Sequence, residues 1–379
     1  MSTTVNTDLS WFPLVPRPRP PCRPLQERVA ELTSLAADTE HGTCQQRATR
    51  AAEVLNKAAL IASDCGITDL ARELCRRQYE LFARSAPLPA WAVRLALQPV
   101  LNIPRQLIRD NRADDAHVML QALHHGAVSR TAVAVEGTHI DFAALTTTAD
   151  GHREARTLTR MALLGDGTRA LARAGRWAEA AERAVAHRGT GARLLDGRQA
   201  AILALLTNGH PSEAAAITER SQPAQPWEHT VQAVLRVLCR HAAGDAPEPA
   251  TTVMLAIACV LVRAHDPATA VARSRIGLVA VDLAGTSDPV RTSALHEALI
   301  ASGTTDGYAA RDLLASPFMS EAITSPHHLE LQALIRMCGL SAGSIPRHLR
   351  FQLTDASDRA ACALVHGQRD WPDKEKTAR

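Results

Sequence analysis

The side chains with the widest chemical scope gather between positions 117 and 160. His117, His124, His125 and His139 form the densest group of histidines in the chain, and Asp141 follows His139 by two positions. Three imidazole nitrogens and a carboxylate are a sufficient donor set for zinc. The spacing does not support one: there is no H-E-x-x-H run, and His296-Glu297 has no second histidine one turn on. The histidines are therefore read as surface groups of a helix and its following loop, and no metal or cofactor is expected. Recognition chemistry remains. In a strand, successive side chains alternate sides, so His139 and Asp141 would point away from the face carrying Ile140 and Phe142 and be available to a ligand. Arg153, Arg156 and Arg160 stand at i, i+3 and i+7, which puts three guanidinium groups on one helix face. Arg169, Arg173 and Arg176 stand at i, i+4 and i+7, which likewise puts a trio on one helix face. Such a face could bind acidic peptides or phosphates. Arg153, Arg156, Arg160, His139 and Asp141 are the candidate binding residues.

Catalytic patterns are missing from the text of the chain. It contains no Walker loop, no G-x-G-x-x-G and no G-x-S-x-G. Glu136 and Asp141 could act in acid–base chemistry, but no partner can be assigned to either. No catalytic residue is therefore named. One further stretch, LQALIRMCGLSAGSIPRHL at 331–349, resembles the turn and second helix of helix-turn-helix regulators. Gly339 would make the turn, Ser341 would cap the next helix, and Ile345 would pack inward. Pro346 departs from that pattern, because it falls inside the would-be recognition helix.

The elements that must position these groups are mostly helices. The clearest lie in RALARAGRWAEAAERAVAH from Arg169 and AAILALLTNGHPSEAAAITERS ending at Ser221. Each half reads as an apolar helix, a Gly turn and an Ala-rich helix. Gly175 and Gly209 stand 34 positions apart, and Gly244 follows 35 later. Ala180, Ala181 and Ala184, and then Ala214, Ala215 and Ala216, give small faces that let antiparallel helices approach. Pro211 suits a first helical turn, where its missing N–H costs nothing. These two units resemble the tetratricopeptide repeat, whose period is about 34 residues. Pro226 falls where that family often has its closing proline, whereas the family's Leu-Gly pair and its first-helix Tyr are absent. The resemblance implies an all-α fold: a right-handed α-solenoid of helical hairpins.

Outside these units, helices are expected at Leu25–Ala37, Gln45–Ser63, Asp69–Arg84, Trp91–Arg109 with a kink at Pro104, and Asp114–His124. They resume at Gly151 and run to Cys338. Between them, SRTAVAVEGTHIDFAAL breaks the helical period. Thr131, Val133 and Val135 alternate, Glu136-Gly137 can turn, and Thr138, Ile140 and Phe142 alternate again. This predicts a β-hairpin near 131–142 inside the helical array. The domain reading is a disordered Pro-rich arm at 1–24, one repeat domain at 25–369 and a charged tail at 370–379.

Composition agrees with helices. Of 379 residues only 3% are aromatic, so the core must be built from Leu, Val, Ile and Ala. Net charge is +3, too weak to demand nucleic acid or an anionic membrane. The most apolar run, 253–262, is too short to span a bilayer. Eight cysteines contain no C-x-x-C pair; they read as buried thiols in a chain without a leader peptide, expected in the reducing cytoplasm. The function expected is a scaffold for a peptide or protein partner, regulatory or accessory, of open oligomeric state. The alternatives are a DNA-linked regulator using 331–349 and an enzyme or biosynthetic accessory protein centred on the 131–142 hairpin.

Overall fold

A computed structural model of the chain describes residues 9–39, 41–245, 248–368 and 371. The tail expected at 370–379 lies outside the described residues except for Trp371, as do positions 1–8 of the arm. In chain order the helices and strands are α1 (Leu25–Ala37), α2 (Cys44–Asp64), α3 (Thr68–Ala83), α4 (Ala90–Arg109), α5 (Ala113–Ser129), β1 (Ala132–Val135), β2 (Thr138–Asp141), α6 (Phe142–Leu145), α7 (Ala149–Ala162), α8 (Thr168–Arg173), α9 (Trp177–Ala186), α10 (Asp196–Thr207), α11 (Pro211–Glu219), α12 (Pro226–Ala243), α13 (Glu248–Val262), α14 (Ala270–Ala284), α15 (Pro289–Gly303), α16 (Gly307–Ala315), α17 (Ser325–Met337) and α18 (Arg347–Gly367). The protein is helical, with one small antiparallel sheet. It forms two compact units. Of the described residues, the first holds those within 9–24 and 171–338, and the second those within 25–170 and 339–371.

In the first unit each helix packs on the next from α9 to α17, and α12, α13 and α14 also touch the helix after next. That ladder is the pattern of a helical repeat. Its turns follow the glycine reading: Gly175, Gly209 and Gly244 have φ of 73°, 79° and 77°, the left-handed region where a Cβ would be strained. Pro211 and Pro226 open α11 and α12. Ala180, Ala184 and Ala214 are buried at the helix contacts, and Trp177 is buried beside them. Residues 9–24, expected as a disordered arm, pack with this unit as a 3-10 turn followed by a stretch that is neither helix nor strand, with Phe12, Leu14 and Cys22 buried. Burying Phe12 and Leu14 stabilises by roughly 1.5–3 kcal/mol each, enough to order a segment that proline has already stiffened.

In the second unit α1, α2, α3 and α4 pack in sequence, α4 and α5 hold α7, and α18 closes on α1, α2 and α3. Thr43 and Gln46 form a reciprocal cap at the start of α2. Proline does not split α4, which runs as one helix through both Pro99 and Pro104. Pro99 cannot donate to the Leu95 carbonyl. The buried Gln78 amide donates to that oxygen instead, at 3.4 Å. The β-hairpin forms at the expected register, with Val133 opposite Ile140 and Val135 opposite Thr138. Glu136 and Gly137 both have positive φ, 44° and 79°, as a two-residue primed turn requires. Val135, Ile140 and Phe142 enter the hydrophobic core, and Gly126 on α5 leaves the room that Val133 and Phe142 fill. The hairpin is thus part of the unit's interior and not a detachable cover.

The segment 331–349 departs from a helix-turn-helix. No helix starts at Ser341. Residues 338–346 are non-helical, and α18 begins only after Pro346, whose fixed φ suits the position preceding a helix. Ser341 has φ 57° and donates its amide to the Asp64 carbonyl at 2.7 Å, while Gly343 donates to Cys65 at 2.8 Å. The stretch is pinned to the end of α2, and α17 and α18 belong to different units.

Candidate functional site

The longest continuous recognition geometry belongs to the first unit, where residues 9–24 lie in a groove along it. A 3-10 turn at Leu9–Trp11 leads in. Phe12 and Pro13 then line a small apolar pocket together with Val231 and Val234 of α12 and Ile276 and Val279 of α14. The four aliphatic side chains come from two helices and give the buried Phe12 ring apolar neighbours. Beyond it, Val15 donates its amide to Asp196 Oδ1 at 3.0 Å, and Arg17 reaches Asp196 Oδ2 at 3.8 Å. Asp196 is the first residue of α10, where a carboxylate complements the helix dipole.

The arm continues as alternating arginine and proline. The Arg19 amide donates to the Ala268 carbonyl at 3.0 Å, and the Arg19 guanidinium lies 3.4 Å over the centre of the buried Tyr308 ring. That is a cation–π contact of the desolvated kind. Arg311 approaches the same ring at 5.8 Å. At the end of the arm the Cys22 amide donates to Asp306 Oδ2 at 3.0 Å. Asp306 Oδ1 meanwhile accepts from Tyr308 and Ala309 at 2.8 and 3.1 Å and caps α16. The Cys22 carbonyl accepts from Gly307 N at 2.9 Å and from the Cys338 thiol at 3.1 Å. Gly307 has to be glycine for this, since a Cβ there would stand 2.7 Å from Cys338 Sγ and 3.2 Å from Cys22 Sγ. Trp11, Phe12 and Leu14 stand beside the first prolines of the arm, large apolar side chains that a reading of the segment as disordered passes over. Nothing in the local pattern told which helices would receive them.

The residues singled out from the sequence sit elsewhere, in the second unit. Arg153 is exposed and pairs with Asp150 at 2.7 Å. Arg156 is exposed and Arg160 half-buried, so the α7 face presents its arginines outward at its start and less so at its end. His139 is exposed on β2, as alternation requires. Asp141 has a structural role: its Oδ1 accepts from the amides of Ala143 and Ala144 at 2.9 and 3.1 Å and caps α6. The other histidines disperse. His117 is buried on α5, His124 bonds Thr159 at 3.2 Å, and His125 faces solvent near Ser129. Among the described residues no three His, Cys, Asp or Glu side chains converge as a metal would require.

A second polar centre was not foreseen. Residues Leu163–Gly167 form a π turn between α7 and α8, a feature that occurs often at functional positions. It places the buried Asp166 against Arg105 Nε at 2.9 Å, and Arg105 continues to Asn102 and then Asn56, each at 2.9 Å. The chain of bonds satisfies its members internally and reads as support for α4. Burial pushes the Cys75 thiol up to about 12, against a hydrogen bond from Gln106, and those of Cys65 and Cys239 up to about 11, which disfavours the thiolate at these three positions.

No known protein family, curated protein or solved structure matches this chain, so its groove has to be interpreted from its own geometry.

Proposed function

We propose that the protein is a scaffold built of tetratricopeptide-like helical hairpins in a right-handed solenoid, and that it binds an extended peptide segment of a protein partner. The observation that carries this reading is the seating of residues 9–24: one unit already holds a proline-rich stretch without helix or strand beyond Trp11, through apolar contacts, two carboxylates and an aromatic face. Helical-repeat surfaces suit such ligands because successive helix ends supply contacts at regular steps along a strand of chain. In this reading the role is regulatory or accessory. The arginine face of α7, with Arg153, Arg156 and Arg160, is a second contact surface in this proposal, supported by its exposure, and His139 belongs with it. A reducing cytoplasm fits eight cysteines that are all free thiols. No helix among the described residues is long and apolar enough to cross a membrane. The test is a fluorescence titration of the full chain against a panel of extended peptides of mixed charge and proline content. Saturable binding of one class supports the proposal; uniform failure across the panel rejects it.

A further inference from the structure

We propose that residues 9–24 are an internal ligand, occupying the groove of the first unit in place of a partner segment of the same chemistry, and that the partner binds by displacing them. The segment recognised would be extended and proline-rich, with an aromatic anchor followed by two arginines. This rests on the peptide-scaffold reading above.

The arm is held as a bound peptide is held. Beyond Trp11 it forms neither helix nor strand, with one left-handed residue at Leu14 (φ 55°), and six prolines, at 13, 16, 18, 20, 21 and 24, remove backbone donors and fix φ at those positions. Three amides, of Val15, Arg19 and Cys22, donate to acceptors on the groove: Asp196, the Ala268 carbonyl and Asp306. Anchoring is graded along the segment. Phe12 and Leu14 are buried at one end and Cys22 at the other, whereas Pro18 and Pro20 face solvent. Between the anchors the groove reads charge: Arg17 meets a carboxylate and Arg19 a ring face. A segment with arginines two positions apart, separated by proline, would reproduce both contacts. An acidic segment would set carboxylates against Asp196 and lose the ring contact.

The covalent link raises the local concentration of the arm to about millimolar for a short tether. A free peptide of equal intrinsic affinity is therefore masked in the unaltered chain, and weakening the arm should unmask it. Polyproline segments lose little conformational freedom on docking, so release and recapture cost little on either side.

The experiment uses a fluorescent synthetic peptide with the sequence of residues 9–24, the full chain, and the full chain carrying Phe12→Ala with Leu14→Ala. The altered chain should bind the peptide at least tenfold tighter than the unaltered one. In parallel, the 15N-labelled unaltered chain is followed by hydrogen exchange at Val15, Arg19 and Cys22, with and without excess unlabelled peptide. Those amides should exchange faster in excess peptide, and a peptide with glutamate in place of Arg17 and Arg19 should leave them unchanged. Equal peptide affinity of the two chains, with arm amides unmoved by excess peptide, overturns the inference; should the altered chain fail to fold, the exchange measurement decides alone. Binding of some other peptide while the arm stays protected would leave the scaffold reading standing and remove this one. A concentration-dependent dimer that releases the arm amides without added peptide would assign the groove to the arm of a second copy and equally overturn it.

Discussion

Asp306 joins the fold of α16 to the seating of the arm, and its two oxygens divide those duties. Oδ1 accepts from Tyr308 and Ala309, and Oδ2 accepts from Cys22. Asp306→Ala removes the helix cap, at about 0.5–2 kcal/mol, and the buried acceptor of the Cys22 amide, at about 1–3 kcal/mol. The expected total is about 2–4 kcal/mol. Asp306→Asn keeps one oxygen. It can cap α16 only by turning its NH2 toward the Cys22 amide, donor against donor, so it should spare the helix and release the arm's end for about 1–2 kcal/mol. Urea unfolding gives the totals, and hydrogen exchange at Cys22 and Tyr308 separates the two duties. In the Asn variant, exchange should accelerate at Cys22 and not at Tyr308; in the Ala variant it should accelerate at both. An Asn variant as unstable as Ala, or an Ala variant with unchanged protection at Cys22, refutes the division.

Ala180→Leu should cost roughly 1–3 kcal/mol in thermal melts because Ala180 is fully buried, while Ala181→Leu, at a half-buried position, should cost less. Gln78→Met should destabilise by about 1–3 kcal/mol by stranding the Leu95 carbonyl; adding Pro99→Ala should recover part of that loss, because residue 99 then donates to Leu95, and a double-mutant cycle in urea reads the coupling. Replacing Arg153, Arg156 and Arg160 by Gln should leave melting unchanged and reduce partner capture; intact capture would remove the α7 face from the account. Burial, with Arg130 second, lowers the His152 pKa, and burial lowers those of His296 and His241, the last against the pull of Glu248. The unfolded chain then takes up these protons first, so urea midpoints should be flat above about pH 6.5 and fall below it until the folded-state values are passed; His152→Gln should shallow that slope.

Short-range features were legible because one or two residues dictate them. Glu136-Gly137 specified the hairpin turn, and Gly175, Gly209 and Gly244 specified three helix ends, since each position needs a left-handed backbone. Alternation placed His139 outward correctly. It did not reveal that α6 follows at once and takes the Asp141 carboxylate as its cap. Sequence-distant pairings leave no periodic trace, so the seat of Phe12 on α12 and α14, the buried Arg28–Asp64 ion pair at 2.6 Å and the docking of 339–343 on α2 were invisible. The compensation at Pro99 was equally hidden, because the proline rule concerns one helix alone, whereas the Leu95 carbonyl is met by the Gln78 side chain of a neighbouring helix. The π turn has no composition of its own, and Leu163–Gly167 reads as ordinary helix.

The return of α18 to the second unit has a consequence for synthesis on the ribosome. Leu349, Leu353, Ala356, Ala360 and Leu364 are buried in the core that α1, α2 and α3 begin. About 180 residues separate the end of α7 from the start of α18, which is roughly 10–35 s of elongation at ~5–20 residues per second. Through that interval the nascent second unit presents an uncovered apolar face, while the whole of 171–338 emerges behind it. A premature stop between the end of the first unit at Cys338 and the start of α18 at Arg347 would therefore produce a chain with one complete body and one permanently open one, a substrate for chaperones and proteases and not a shorter working protein.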